Sequence, residues 1–200
     1  MTGVRYMNKV GTKIIKTERL ILRRFKIEDA EAMFKNWACD SEVTKFLSWP
    51  PHRNVETTKI ILNDWINSYS SDDFYHWAII LKENDDEPIG SIGAVDKNES
   101  INMIHIGYCI GKNWWNKGIT SEALKALINY FIKEVGANRV EAKHDTNNPN
   151  SGKVMIKCGM KYEGTMRQAG VNNQGICDYS MYGILAEEYL DKRYQQFRKK

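Results

Sequence analysis

Ile110-Gly-Lys-Asn-Trp-Trp-Asn-Lys-Gly-Ile-Thr-Ser-Glu-Ala123 joins two segments of different periodicity. Before it, Met103 to Ile110 is an alternating apolar run and reads as a strand. After it, Ser121 to Val135 carries Leu124, Leu127, Ile128, Phe131, Ile132 and Val135 on one stripe and reads as an amphipathic helix. The link is short and contains Gly118. A strand feeding a helix this way leaves backbone N–H groups unpaired at the helix start. Together with the positive end of the helix dipole they form an anion site, most often for phosphate. The stretch therefore predicts a ligand that carries a di- or triphosphate.

Working outward, Leu20 to Arg24 alternates apolar and charged residues and reads as a first strand. Glu28 to Cys39 and Val55 to Tyr69 carry apolar residues at helical spacing. Phe74 to Leu81 and Ile89 to Val95 read as strands joined by the acidic turn Glu83 to Pro88. Beyond the central helix, Gly136 is a C-terminal stop and Arg139 to Lys143 a short strand. Asn148 and Pro149 read as the N-cap and first position of a helix that ends at Cys158-Gly159. Lys161–Arg167 and Ile176–Leu185 follow as strands around the turn Asn172 to Gly175, and Ala186 to Phe197 can close as a helix. The order β-α-α-β-β-β-α-β-α-β-β predicts an α/β fold: a mixed sheet of six or seven strands with helices on both faces. Its middle is expected to be partly parallel and its end hairpins antiparallel.

The chain has 200 residues, 42% of them hydrophobic, which suits a single domain over residues 1–200 with 1–14 and 191–200 as flanking tails. Cys39, Cys109, Cys158 and Cys177 are widely spaced and form no C-x-x-C pair. That argues against a disulfide framework and a zinc knuckle, so no metal is expected, and free thiols suit a reducing cytoplasm. The N-terminal residues lack the apolar core of a signal peptide, and no run approaches the ~18 apolar residues of a membrane span. Neither membrane nor nucleic acid is an expected partner; the formal net charge of +4 is mild and fits an anionic cofactor or a solvated surface equally. The cations Lys192, Arg193, Arg198, Lys199 and Lys200 read as a solvated tail.

The Walker motif G-x-x-x-x-G-K-[ST] and the dinucleotide motif G-x-G-x-x-G are both absent. What remains is a pyrophosphate site with one indispensable glycine. Here Trp115 to Ala123 resembles the acetyl-CoA loop of the GNAT superfamily of N-acetyltransferases. Thr17 to Arg24, His105 to Tyr108, Trp115, Asn148 with Ser151, Lys157 with Gly159 and Met160, and Asp178 to Leu185 stand in the order of its RimJ/RimL-like branch, across roughly residues 15–190. The resemblance implies acetyl-CoA as co-substrate, held by Tyr108, Cys109 and Ile110 at the strand end, by Asn116, Lys117, Gly118, Ile119, Thr120 and Ser121 in the loop and helix start, and by Asn148 and Ser151. It implies an amine acceptor, a protein N-terminal α-amine or a small-molecule amine, and allows a homodimer. The sequence departs from the superfamily loop in having Trp115 at the first place and Thr120 at the last small-residue place.

Acetyl transfer to an amine requires a neutral amine, a polarised thioester carbonyl and a stabilised leaving thiolate. Alkyl amines are mostly protonated at pH 7, so a base or a water chain ending in one must take a proton. His105 stands where the family often has a glutamate, and an imidazole suits the task. His144 and a water chain are the other options. For the thiolate, the resemblance points to Ser151, because the tyrosine that many members place one turn later is Met155 here; water is the alternative. Cys109 and Cys158 read as core residues rather than nucleophiles. Trp49, Pro50, Pro51 and His52 fall where the family places a loop over the acceptor. Gly90 and Gly93 read as close-approach positions within strands. The departures at His105 and Met155 keep open a different class of reading, a CoA-binding module of this fold without turnover.

Overall fold

A computed structural model describes residues 6–83 and 86–191. In chain order the elements are β1 (Ile15–Lys16), β2 (Leu20–Arg23), α1 (Ala30–Met33), α2 (Ser41–Thr44), α3 (Val55–Ser68), β3 (His76–Leu81), β4 (Pro88–Asn98) and β5 (Met103–Ile110). They continue as α4 (Ile119–Tyr130), β6 (Arg139–Asp145), α5 (Pro149–Lys157), β7 (Lys161–Asn172), β8 (Gly175–Leu185) and α6 (Ala186–Leu190). One eight-stranded sheet runs β1-β2-β3-β4-β5-β6-β8-β7. The expected six or seven strands become eight because β1 has two residues, too few to show any periodicity. Among the described residues only β5 and β6 pair in parallel; every other neighbouring pair is antiparallel.

Helix boundaries follow local chemistry. α1 widens into a π-turn over Phe34–Ala38, closed by Cys39 N–H donating to Phe34 O at 3.1 Å. α4 begins two residues earlier than its apolar stripe implies, because Gly118 takes the cap position with φ +75°. It too ends in a π-turn, Phe131–Val135, stopped at the left-handed Gly136. The closing helix runs to Leu190 and ends at the extended Asp191; residues 192–197 of the span expected to reach Phe197 lie outside the described residues. No helix among the described residues is long and apolar enough to cross a membrane.

The sheet separates two cores. Along β3, Trp77, Ile79 and Leu81 point into the larger one while Ala78 and Ile80 point into the smaller, so this central strand is buried on both faces. The larger core packs α4 and α5 through Leu124, Leu127, Ile128, Phe131 and Met155. The smaller sits beneath α1 and α3 and holds Phe25, Trp37 and Leu62. His76 lies against it, with ring centroids 4.2 Å from Trp65 and 5.8 Å from Phe25. Burial lowers its pKa to about 4, so the ring is neutral and packs as an aromatic. The segment ahead of β1 is tied to the body: Tyr130 Oη donates to Gly11 O at 2.5 Å and Trp77 Nε1 to Lys13 O at 2.7 Å.

Gly90 and Gly93 are close-approach positions, as expected from sequence. A Cβ on Gly90 would lie 2.5 Å from Cys109 O and 2.9 Å from Ile110 Cα. Both obstacles are backbone and cannot swing aside. Gly90→Ala is therefore expected to destabilise the fold by about 1–3 kcal/mol, read as a lower urea midpoint with unchanged m-value.

Candidate active site

The parallel ladder between β5 and β6 is short. Met103 pairs with Arg139, Ile104 with Val140 and His105 with Glu141, and there it stops. β4 stays paired along the other side of β5 as far as Ile110, and β6 continues with β8 as far as Asp145. From Ile106 to Ile110 the edge of β5 turned toward β6 has no partner in β6. The two strands thus bound a wedge that is closed at His105–Glu141 and open toward the Gly118 loop.

At the open end the chain makes a 3-10 turn at Lys112–Trp114 and passes through two left-handed residues, Asn116 at φ +60° and Gly118 at φ +75°. Gly118 caps α4 with no side-chain cap, and the first helical bond runs from Glu122 N–H to Gly118 O at 3.1 Å. The N–H groups of Ile119, Thr120 and Ser121 precede that bond and are the helix's anion-facing donors. Two cations from distant parts of the chain converge there. A Cβ on Gly118 would sit 3.6 Å from Arg19 Nη2 and 3.8 Å from Lys157 Nζ. Arg19 is set by the first turn of α4: its Nε donates to Glu122 Oε2 at 2.7 Å, its backbone N–H to Glu122 Oε1 at 2.8 Å, and its Nη1 to Lys117 O at 3.0 Å. Thr17 Oγ1 donates to Glu122 Oε1 at 2.6 Å. Burial alone pushes the Glu122 carboxyl up, but the bonds from Thr17 and Arg19 outweigh it and hold the group below the usual carboxylate range.

Within the wedge, Tyr108 reaches from β5 to the first turn of α5. Its hydroxyl lies 2.8 Å from Ser151 Oγ and donates to Ser151 O at 3.1 Å. Burial raises the phenol well above its usual range, more than the Ser151 bond lowers it, so it stays protonated. Two of the residues expected in the site, Tyr108 and Ser151, are thus in direct contact. Asn148 occupies the N-cap place of α5, but its side chain makes no capping bond. Proline at the first helical position offers no N–H, and Ser151 N–H already donates to Asn148 O at 3.1 Å. Asn148 and Pro149 thus hold the N-cap and first helical positions as expected, without the side-chain bond an N-cap asparagine ordinarily makes.

His105 sits at the closed end, 7% exposed, with Nδ1 3.0 Å from Glu141 Oε1. His144 lies elsewhere: Nδ1 donates to Asp145 O at 2.7 Å, and Nε2 is sealed beneath α5, where a Cβ on Gly152 would come within 2.6 Å. Cys109 Sγ is 3.4 Å from Ser91 Oγ and burial raises its thiol pKa; Cys158 Sγ donates to Ser121 O at 3.3 Å. The burial of Cys109 disfavours its thiolate, the form a nucleophile needs. The Trp49–His52 loop is lashed to the β7–β8 turn, with Asn173 Nδ2 donating to Trp49 O at 2.7 Å and to Thr44 O at 2.9 Å. Sequence reading gave no individual role to Arg19, Lys157, Glu141 or Asn173, because each meets the site across a long sequence separation.

A family profile described as an acetyltransferase (GNAT) domain matches residues 19–161. The chain belongs to the GNAT acetyltransferase family. It is 34% identical to an uncharacterized N-acetyltransferase, p20, of Bacillus licheniformis, over 86% of this chain and 96% of that one. It is 33% identical to a ribosomal-protein-serine acetyltransferase of Escherichia coli, over 54% of this chain and 60% of that one. Among solved structures, a RimL ribosomal alpha-N-protein acetyltransferase in complex with coenzyme A superposes with a TM-score of 0.76 at 21% identity, covering 86% of this chain and 98% of that one. The GNAT family and these relatives make the protein an N-acetyltransferase.

The Glu122 clamp has a pH signature. A carboxyl whose folded pKa lies below its ordinary 4.5 contributes stability that is present above pH 4.5 and is lost as pH falls through the folded value. Glu122→Gln is therefore expected to lower unfolding free energy near neutral pH. Its gap to the native chain should narrow below pH 4.5, as followed by urea unfolding across an acid series.

Proposed function

We propose that this enzyme moves the acetyl group of acetyl-CoA directly to a protein N-terminal α-amine with both substrates held at once. The observation that carries the reading is the left-handed Gly118 turn placed at the mouth of a half-open β5. Uncapped N–H groups, Arg19 and Lys157 converge at that turn, and the free β5 edge leads from it to His105. These features fit coenzyme A. The N–H groups of Ile119, Thr120 and Ser121 would hold the pyrophosphate, with Asn116, Lys117 and Arg19 around it. The β5 edge at Tyr108, Cys109 and Ile110, with Asn148 across the wedge, would take the pantetheine arm. When bound, the thioester supplies an activated acetyl group and a thiol leaving group.

The chain's own residues then have three tasks. Holding acceptor and donor together removes the entropy of a bimolecular encounter and contributes several kcal/mol. His105 takes a proton from the acceptor amine. Ser151, whose Oγ rests beside the Tyr108 hydroxyl, turns its O–H from that contact toward the departing sulfur. An α-amine fits an imidazole base better than a lysine side chain does. Its ordinary pKa of about 8 is within ~1.5 units of an ordinary imidazole, whereas lysine at about 10.4 is ~4 units away. The ribosomal-protein-serine relative supports the same acceptor class. The four widely spaced free cysteines suit a cytoplasmic setting.

The test is acetyl-CoA-dependent thiol release against short peptides with free N-terminal serine or alanine, set beside small-molecule amines. Release with the peptides supports the reading; release with small amines alone overturns the acceptor assignment. His105→Ala is expected to lower kcat/KM roughly 100-fold while leaving CoA affinity by calorimetry unchanged. In Gly118→Val a β-branched residue would have to adopt a left-handed turn, at about 1–2 kcal/mol, and its methyls would crowd Arg19 and Lys157. CoA affinity should then fall roughly tenfold.

A further inference from the structure

His105 stands at the end of a line of charged groups. Its Nδ1 faces Glu141 Oε1 at 3.0 Å, and Arg139 Nε donates to Glu141 Oε2 at 2.8 Å. Arg139 is held in turn by Glu163, with Nη1 donating to Oε1 at 2.7 Å. The line crosses from β5 over β6 toward β7, and Gly183 of β8 lies under it. A Cβ on Gly183 would come 2.5 Å from Glu163 Oε1 and 2.7 Å from Arg139 Nη1. On the other side of His105, its β4 partner is Asp96, an exposed residue whose Oδ1 accepts from Lys97 N–H at 2.8 Å. Among the described residues, the carboxylate bonded to the imidazole is therefore Glu141.

The direction of this bond follows from proton counting. Burial would push the Glu141 carboxyl up, but the bonds from His105 and Arg139 outweigh it and keep it below the usual carboxylate range. An ionised carboxylate only accepts, so the shared proton sits on His105 Nδ1. A neutral imidazole carries one proton, which leaves the lone pair on Nε2. Among the described residues nothing bonds Nε2. Nor is it one of the sealed ring nitrogens, which among the described residues are those of Trp37, His76 and His144.

We propose that Glu141 is a positioning residue for acetyl transfer: it holds the His105 ring with its proton on Nδ1 and its lone pair on Nε2 at the closed end of the wedge. This rests on His105 being the base. As the nitrogen–carbon bond forms and the carbon–sulfur bond breaks, the amine proton passes to His105 Nε2. The bonding pair leaves with sulfur, and the imidazolium later returns its proton to solvent. Glu141 takes no proton; it stabilises the imidazolium.

The test is nitrogen-15 histidine NMR on the full chain at about pH 8, above an ordinary imidazole pKa of about 6.5. It is paired with turnover of acetyl-CoA and a serine-initiated peptide. In the native chain His105 should show a protonated Nδ1 and a bare Nε2. Glu141→Ala should shift the ring toward the Nε2-protonated tautomer. Its kcat should fall roughly 10- to 100-fold with KM for acetyl-CoA unchanged, the scale typical of residues that orient a functional histidine. Glu141→Gln keeps an acceptor oxygen and should retain the tautomer with a smaller loss. In a His105→Ala background, Glu141→Ala should cost less than roughly twofold, since it acts through the missing ring. A native Nε2-protonated tautomer, an unchanged tautomer in Glu141→Ala, or an undiminished cost in the His105→Ala background would overturn the role of Glu141. Full turnover in His105→Ala alone would instead remove the base reading, and this proposal with it.

Discussion

The separation of β5 from β6 after three residue pairs organises the whole candidate site. A parallel ladder continued to Ile110 would satisfy the β5 backbone and leave nothing for a ligand to pair with. The strands part because each is committed elsewhere. β5 is held by β4 along its full length, and β6 is held by β8 up to Asp145. α5 follows β6 immediately and packs into the larger core through Met155 and Cys158. Its first turn closes one side of the gap through the Tyr108–Ser151 contact. The wedge is therefore a consequence of competing antiparallel pairing plus helix packing.

Charge is distributed unevenly along this wedge. Its open end gathers a helix N-terminus, Arg19 and Lys157, all favourable to phosphate. Its closed end holds His105 against the ionised Glu141. Between them lie the neutral Tyr108, Cys109 and Ser151, whose burial favours their protonated forms where it shifts them at all. On the proposed reading, an anionic tail and a reacting amine would be served by different ends of one cleft. Glu122 keeps the cationic end from being merely a cluster of like charges. It uses its carboxylate to orient Arg19 while leaving Arg19 Nη2 directed at Gly118.

Much of this was legible in the sequence. Met103 to Ile110 and the stripe from Leu124 to Val135 have unambiguous periods, so strand, turn and helix could be placed within two residues, and Gly118 marked as the special backbone position. Gly90 and Gly93 were recognisable as close approaches because nothing else explains glycine in an apolar strand. Other features were not visible. A two-residue strand has no period, the π-turns obey no composition rule, and Asn148 looks like a cap whether or not its side chain bonds.

What the sequence by itself determined is therefore the order of elements, the parity of faces along each strand, and the glycine link between β5 and α4, because these depend on neighbours only a few residues apart. What only the tertiary structure decided is the company those residues keep. Arg19 and Lys157 meet Gly118, Tyr108 meets Ser151, and Glu141 meets His105 across separations that no local pattern encodes. The physical reason is that strand pairing and helix packing, each requiring many distant contacts at once, set where the ladder ends. The end of that ladder is what opens a strand edge into a cleft.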